Sequence, residues 1–509
     1  MSKSRGVQFY WSQKNPSIAK KIYDQYCKEN DIILDPFLGA GSSLYGIRDS
    51  KYKFIGVELN EMPYQICCFN IQSINSTLIM NLNNELDRLK SKYEKIYKHK
   101  LTNGNTLTIE RVVFDNKENP QLKSISYRDS DNKLYKNDKN NELFNLYKER
   151  YLHFLMNNSQ SADMLLEKNS RIAIKDEMYL SSIFSPINFH LLDLISKEIS
   201  GNMKFVLGSI LHLCKLTDLK SQSQFPYWIP KKDILDRNIF SSIEKKINQL
   251  SKINSTEIKK VNSFKDLQKN SPACLLFNKP IQKINTHDIP DNSIDFILTD
   301  PPYFDQVAYS EYLKIWEHFL KYTSYFKDEI IVSQRIKNTK NINNYLSLMT
   351  KAFGIIFKKL KPNSNMIIYF KDSRLDKMAA FLKVLKSVGF TFNSQEYLSS
   401  NKYTYKQNTS KKSTLYGDSV FHFSKKDINK LKTKKPKVVN NIIKEFVTNY
   451  LEKNKKASLG ELLNNGLLKY LYDNNSLDLL LAKKSLLQSI EDFCAFKNDE
   501  RVYVLKYKI

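Results

Sequence analysis

Residues 32–60 read IILDPFLGAGSSLYGIRDSKYKFIGVELN, and three pieces of this stretch decide the fold. IILDPF is a short apolar run ending in Asp35-Pro36, where proline removes the donor that a continuing strand would need. LGAGSS is a glycine-rich turn, and SLYGIRDS behind it has the look of a helix. KFIGVEL is a second apolar run of strand length. Upstream, SIAKKIYDQYCKE (17–29) places Ile18, Ile22, Tyr23 and Tyr26 on one helical face. Helix, strand, turn, helix, strand is the unit of a doubly wound parallel sheet.

The same grammar returns late in the chain. ACLLF (273–277) and DFILTDPPY (295–303) read as strands, followed by a helix over 343–361, NMIIYF (365–370), a helix over 375–388, FTFNSQEY and SVFHFSK. These segments complete an α/β sheet begun by the first 75 residues. Roughly 200 residues separate the halves, too many for a structureless loop, so they form a domain of their own. Residues 77–100 and most of 141–260 have helical patterning, and turn clusters between β-prone runs at 101–140 suggest small hairpins. The insertion is therefore expected to be mainly helical. In SQSQFPYWIP (221–230), Trp228 suits a buried plug better than a stacking surface for nucleic acid. After Lys425 a basic linker carries Lys432, Lys434, Lys435 and Lys437. Residues 438–509 read as helices ending in β-prone RVYVLKY, a small winged-helix-like unit. The expected division is 1–75 and 271–430 for the split α/β sheet, 76–270 for the insertion and 431–509 for the C-terminal unit.

Composition narrows the function classes. The formal net charge is +27, which would attract a polyanion and speed its encounter. No run of about 18 apolar residues exists, so no membrane span is expected. The N-terminal residues lack the apolar region of a secretion signal. Six cysteines include no CxxC pair, which argues against a zinc ribbon or disulfide framework. A reduced, cytoplasmic protein without a metal is the expectation.

Two constellations carry chemistry. Gly39 and Gly41 lie in a turn between a strand and a helix, where the backbone can approach a ligand closely. Glu58 ends the next strand, where a carboxylate can accept both hydroxyls of a ribose. The third glycine of a dinucleotide fingerprint is missing. A tight turn beside a solvated acid is the plain alternative. The second constellation is Asp300-Pro301-Pro302-Tyr303, after the apolar run DFILT. Asp300 can accept one N–H of an amino group and the Pro301 carbonyl the other. Tyr303 offers a ring for stacking on a base. A proline-terminated strand with a packed tyrosine is the plain reading here.

Together, DPFxGxGS, VELN and TDPPY resemble the amino-methylating DNA methyltransferases of the adenine-N6 and cytosine-N4 type. FYWSQKNPSIAKKI (9–22) is similar to the segment that closes that family's cofactor pocket. PPYFDQVAYSEYLKIWEHFL (301–320) resembles a subgroup with a large insertion. The resemblance implies a Rossmann-like class I methyltransferase sheet and S-adenosyl-L-methionine as cofactor. It implies that Asp35, Pro36, Phe37, Gly39 and Gly41 hold the methionine part, that Glu58 binds the ribose and that Asn278 lies near the adenine. Asp300, Pro301, Pro302 and Tyr303 would bind a flipped-out base, with Phe304 adding stacking and Tyr309 and Glu311 lining the pocket. The insertion would read double-stranded DNA, in a restriction–modification or defence setting with partner proteins. Two other readings stay open: a guanine-N2 type RNA methyltransferase and an inactive DNA-binding subunit. Only about 30 residues precede Asp35, which argues against the RNA-binding domain such RNA enzymes carry there.

Overall fold

The computed structural model describes residues 10, 14–157, 163–168, 174–175, 177–219, 228–230, 233–253, 256–305, 307, 309–333, 340–370, 374–399, 417–426, 439–481 and 490–506. Its centre is an eight-stranded sheet. The strands are β1 (Ile32–Asp35), β2 (Lys53–Glu58), β3 (Lys259–Val261), β4 (Ala273–Asn278), β5 (Ile294–Thr299), β6 (Leu360–Phe370), β7 (Thr391–Ser399) and β8 (Gly417–Ser424). Their spatial order is β3-β4-β2-β1-β5-β6-β8-β7. All neighbours run parallel except β8, which is antiparallel to both β6 and β7. This is an α/β fold, as the alternation of strands and helices led us to expect, but the sheet is mixed because β8 runs antiparallel.

Both faces of the sheet are covered, which explains the near-continuous apolar runs. Ile32 and Leu34 of β1, Ile55 and Val57 of β2 and Ile297 of β5 enter one core with Phe353 and Phe381. Ile33, Phe54, Phe296 and Leu298 point the other way, into a core with Tyr23. Tyr23 belongs to the helix Pro16–Tyr26, capped by the Asn15 side chain on the Ser17 amide. SLYGIRDS departs from the expectation, forming only a short 3-10 turn, Leu44–Ile47. A Cβ at Gly46 would lie 2.9 Å from Ala19 Cβ, so close contact with the preceding helix shapes this segment.

The hairpins expected over 101–140 form, and they belong to a larger sheet than the insertion's patterning suggests. The insertion's centre is a six-stranded antiparallel sheet that includes Lys98–Lys100, Thr106–Phe114, Leu122–Arg128 and Leu134–Asp138. The other two strands, Thr217–Asp218 and Ile234–Arg237, are too short to show an alternation in sequence. Its core also takes in both halves of the main domain. Phe69 stacks on Phe205 with centroids 3.7 Å apart, and Trp316 donates its indole N–H to the Gly208 carbonyl at 2.8 Å. Trp228 is buried in the same core. The strand Lys259–Val261 lies in the main sheet, although the expected boundary placed it within the insertion.

The C-terminal residues form helices Val439–Asn454, Leu459–Asn464 and Leu467–Asp473, then the hairpin Cys494–Lys497 with Val502–Leu505. They share a core with the main sheet: the Tyr472 ring meets Phe392 edge-on and its hydroxyl donates to the Phe390 carbonyl. The expected basic linker residues Lys432, Lys434, Lys435 and Lys437 fall outside the described residues. Among the described residues, no helix is long and apolar enough to cross a membrane.

Candidate active site

Strand order reverses between β1 and β5. From β1 the chain places β2, β3 and β4 on one side, then returns to place β5 on the other side of β1. Ligands of such sheets sit outside the carboxyl ends of the strands at this point. Both constellations stand there. β1 pairs directly with β5, Ile33 beside Phe296 and Leu34 beside Ile297. The strand ends are tied together by Asp35. Its Oδ1 accepts from the Phe37 amide at 3.1 Å and from Thr299 Oγ1 at 2.8 Å, and its Oδ2 accepts from Ser43 Oγ at 2.5 Å. Burial pushes the Asp35 carboxyl up to about 6.

The glycine turn is shaped by Glu58. One carboxylate oxygen accepts from the Gly39 amide at 2.8 Å, the other from the Asn60 amide at 2.8 Å. Burial raises this carboxyl to about 7, against the lowering effect of those two amides. Gly39 and Gly41 have φ of +53° and +82°, in the left-handed region that a side chain disfavours. Space matters as well, since a Cβ at Gly41 would fall 2.8 Å from the Cys67 sulfur.

On the β5 side, Asp300 is held from two directions. Tyr303 donates its hydroxyl to Asp300 Oδ1 and reaches the Tyr369 carbonyl. The Lys14 ammonium lies 3.0 Å from Asp300 Oδ2 and 4.8 Å from the centre of the Tyr369 ring. Tyr345 donates to the Pro302 carbonyl at 2.8 Å. Among the described residues, no backbone donor reaches the Pro301 carbonyl.

One cleft joins these groups, and it has two halves. The first is lined by Lys14, Asn15, Asp35, Ser42, Ser43 and Asp300 through Tyr303, among others. The second is lined by Pro36, Glu58, Asn60, Pro280 through Gln282 and Asp328 through Ile330. Tyr10, Phe37, Gly39, Asp300, Pro302 and Tyr309 border both. Tyr10 and Tyr309 stack with centroids 5.7 Å apart and planes 11° apart.

Comparisons with known proteins point to one family. Residues 2–67 match the N6/N4 methyltransferase family model, described as DNA methylase. The Type II methyltransferase M.MjaII of Methanocaldococcus jannaschii is 21% identical over 352 residues, covering 60% of this chain and 60% of that protein. The resemblance to the amino-methylating DNA methyltransferases stands. The chain spans about three fifths of the length of the curated relative it matches. Among solved structures, a protein taken to be a DNA modification methylase, from Thermus thermophilus, is 12% identical with a TM-score of 0.17, covering 30% of this chain and 53% of its own. A protein taken to be a methyltransferase, from Thermoplasma acidophilum, is 10% identical with a TM-score of 0.18, covering 37% and 54%. These last two add nothing to the strand order.

Most residues that the methyltransferase resemblance singles out meet at the cleft. Asp35, Pro36, Phe37, Gly39, Glu58 and Asp300 through Tyr303 all line it. Gly41 lies in the turn but does not line the cleft. Asn278 does not line the cleft; its side-chain amide donates to the carbonyls of Glu58 and Leu59, at 3.1 Å each. Pro280, Ile281 and Gln282 line the wall instead. Phe304 is unavailable for stacking, being 1% exposed and packed on Tyr345. Tyr309 lines the cleft, whereas Glu311 is buried without lining it. Sequence reasoning passed over Lys14, Tyr10 and the acidic pair Asp328-Glu329. Glu329 is buried and accepts from the Ser310 amide and hydroxyl at the start of a helical turn. Lys14 and Tyr10 fall in the segment similar to the family's pocket-closing one. Asp328-Glu329 carries no local signal at all.

Proposed function

We propose that this chain is an S-adenosyl-L-methionine-dependent DNA methyltransferase acting on an exocyclic amino group, adenine N6 in preference to cytosine N4. The observation that carries this reading is the meeting of the Gly39–Gly41 turn and Asp300-Pro301-Pro302-Tyr303 at adjacent ends of β1 and β5, with Glu58 on the next strand. The cleft suits the cofactor's chemistry. Five carboxylates, from Asp35, Glu58, Asp300, Asp328 and Glu329, complement a cationic sulfonium. Glu58 is anchored by two backbone amides, so its remaining lone pairs are aimed and able to accept ribose hydroxyls. When bound, the cofactor supplies a methyl group already activated on sulfur.

The chain's own residues then supply alignment. Asp300 takes one N–H of the target amine and the Pro301 carbonyl the other, which turns the nitrogen lone pair toward the methyl. Asp300 also stabilises positive charge growing on that nitrogen. Alignment and charge stabilisation of this kind are worth several kcal/mol, on the order of the loss seen when one such group is removed. Asp35 acts as a positioning residue, since its oxygens hold the turn to β5. A base in a duplex must leave its stack, at about a few kcal/mol. With Phe304 buried, Tyr303 and Tyr309 are among the rings that border the cleft, with Tyr10, Phe37 and Tyr369, and stacking offsets roughly 1–3 kcal/mol of that cost. The insertion would read the DNA, and its grip on Trp316 links that reading to the segment just after Tyr303. The match to a Type II methyltransferase supports a restriction–modification setting.

The test uses cofactor labelled in its methyl group, mixed-sequence DNA and transfer RNA. After digestion, label in N6-methyladenine is expected from DNA. Asp300→Ala should lower transfer by roughly 10²–10³-fold. Label confined to transfer RNA would overturn the reading.

A further inference from the structure

In the structure, the oxygen that would receive a base N–H already faces a donor. Lys14 brings its ammonium to 3.0 Å from Asp300 Oδ2, while the Tyr303 hydroxyl holds Oδ1. An ammonium on Oδ2 takes the place of the target amine. It also neutralises the charge that should meet a nitrogen turning positive. The ammonium on Oδ2 and the target amine therefore compete for the same carboxylate.

The rest of the cleft says where the ammonium can go. Among the described residues that line the two halves, Lys14 is the one cation; the lining also carries five carboxyl groups, of which Asp328 is already paired at 2.8 Å with Lys283 outside it. The amino-acid end of S-adenosyl-L-methionine carries a carboxylate, and a carboxylate entering so acidic a cleft needs a positive partner. Lys14 stands next to Asn15, the cap of the helix Pro16–Tyr26, and both line the half that holds Ser42 and Ser43. Its four-carbon stem lets the head move while the backbone stays fixed.

We propose that Lys14 exchanges partners: it holds the amine site shut at Asp300 before the cofactor arrives and pairs with the cofactor's carboxylate on binding, so that cofactor entry frees Asp300 for the base. This rests on the cofactor reading above and adds an order of events to it. Cofactor and target amine become coupled, each favouring the other.

Calorimetry with S-adenosylhomocysteine tests the exchange, because this compound keeps the carboxylate and lacks the sulfonium charge. Lys14→Met should weaken its binding about tenfold, the loss of one charged hydrogen bond, and Lys14→Arg should restore most of it. Asp300→Asn should instead tighten binding several-fold, since Lys14 no longer has to leave a carboxylate. In the Lys14→Met background the same Asp300→Asn change should do nothing. Decarboxylated S-adenosylmethionine should bind the wild type and Lys14→Met alike. Unfolding midpoints of the variants separate a folding defect from a binding one. Unchanged binding in both Lys14→Met and Asp300→Asn would overturn the exchange and leave a static ion pair. Failure of the wild type to bind either compound would overturn the cofactor reading, and the exchange with it.

Discussion

Glu58 ends a strand, is 7% exposed and accepts two backbone amides, yet burial still raises its carboxyl to about 7. Only the ionised form is a full acceptor for ribose hydroxyls. Cofactor affinity should therefore rise with pH through about 7 and level off above it. Calorimetry should find binding about tenfold weaker at pH 6 than at pH 8, and Glu58→Gln should lose that slope. A flat wild-type profile would count against Glu58 as the ribose acceptor. Stability runs the opposite way. A raised carboxyl favours folding at pH values below its unfolded value, and that contribution fades as pH climbs through about 7. Glu58 was legible because its chemistry is local: an acid at the end of an apolar run. The two carbonyls that hold the Asn278 amide, on β2 and the loop after it, could not be read from its own segment.

At the scale of elements, the helix Lys314–Leu320 is the joint between the segment that carries Asp300–Tyr303 and the insertion. Trp316 is 1% exposed, and its indole donor ends on the Gly208 carbonyl of the helix Gly201–Cys214. Trp316→Ala should cost about 3–5 kcal/mol in denaturant unfolding, from the cavity and the lost donor together. Methyl transfer to DNA should fall more than cofactor binding does, because the damage lies on the insertion side. Equal losses would show that this helix serves stability alone. Sequence spacing marks IWEHFL as helical but not the wall it packs on. The turn Leu44–Ile47 makes the same point in reverse. SLYGIRDS has helical residues, and contact of Gly46 with Ala19 and Lys20 overrides them.

For the whole molecule, the net charge of +27 should make DNA binding steeply salt-dependent. If six to ten phosphates are contacted, affinity for mixed-sequence DNA should drop by about 10³ or more between 50 and 200 mM salt, measured by fluorescence anisotropy. Cofactor affinity over the same range should change far less, because its proposed ion pairing involves one lysine instead of many phosphates. A shallow DNA slope would mean that the lysines are spread over the surface instead of gathered on a DNA-binding face.

The sequence alone determined the α/β character of the main domain, the split of its sheet around an insertion and the two segments that meet at the cleft. Each of these is written in short-range patterns: apolar runs of strand length, a glycine turn, an acid or proline at a strand end. Only the tertiary structure decided that the short strands Thr217–Asp218 and Ile234–Arg237 join the insertion's hairpins in one sheet, that Phe304 is turned into the core and that Lys14 faces Asp300. Those outcomes come from contacts between residues far apart in the chain. Their free energy is set by what packs against what, and no local pattern encodes it.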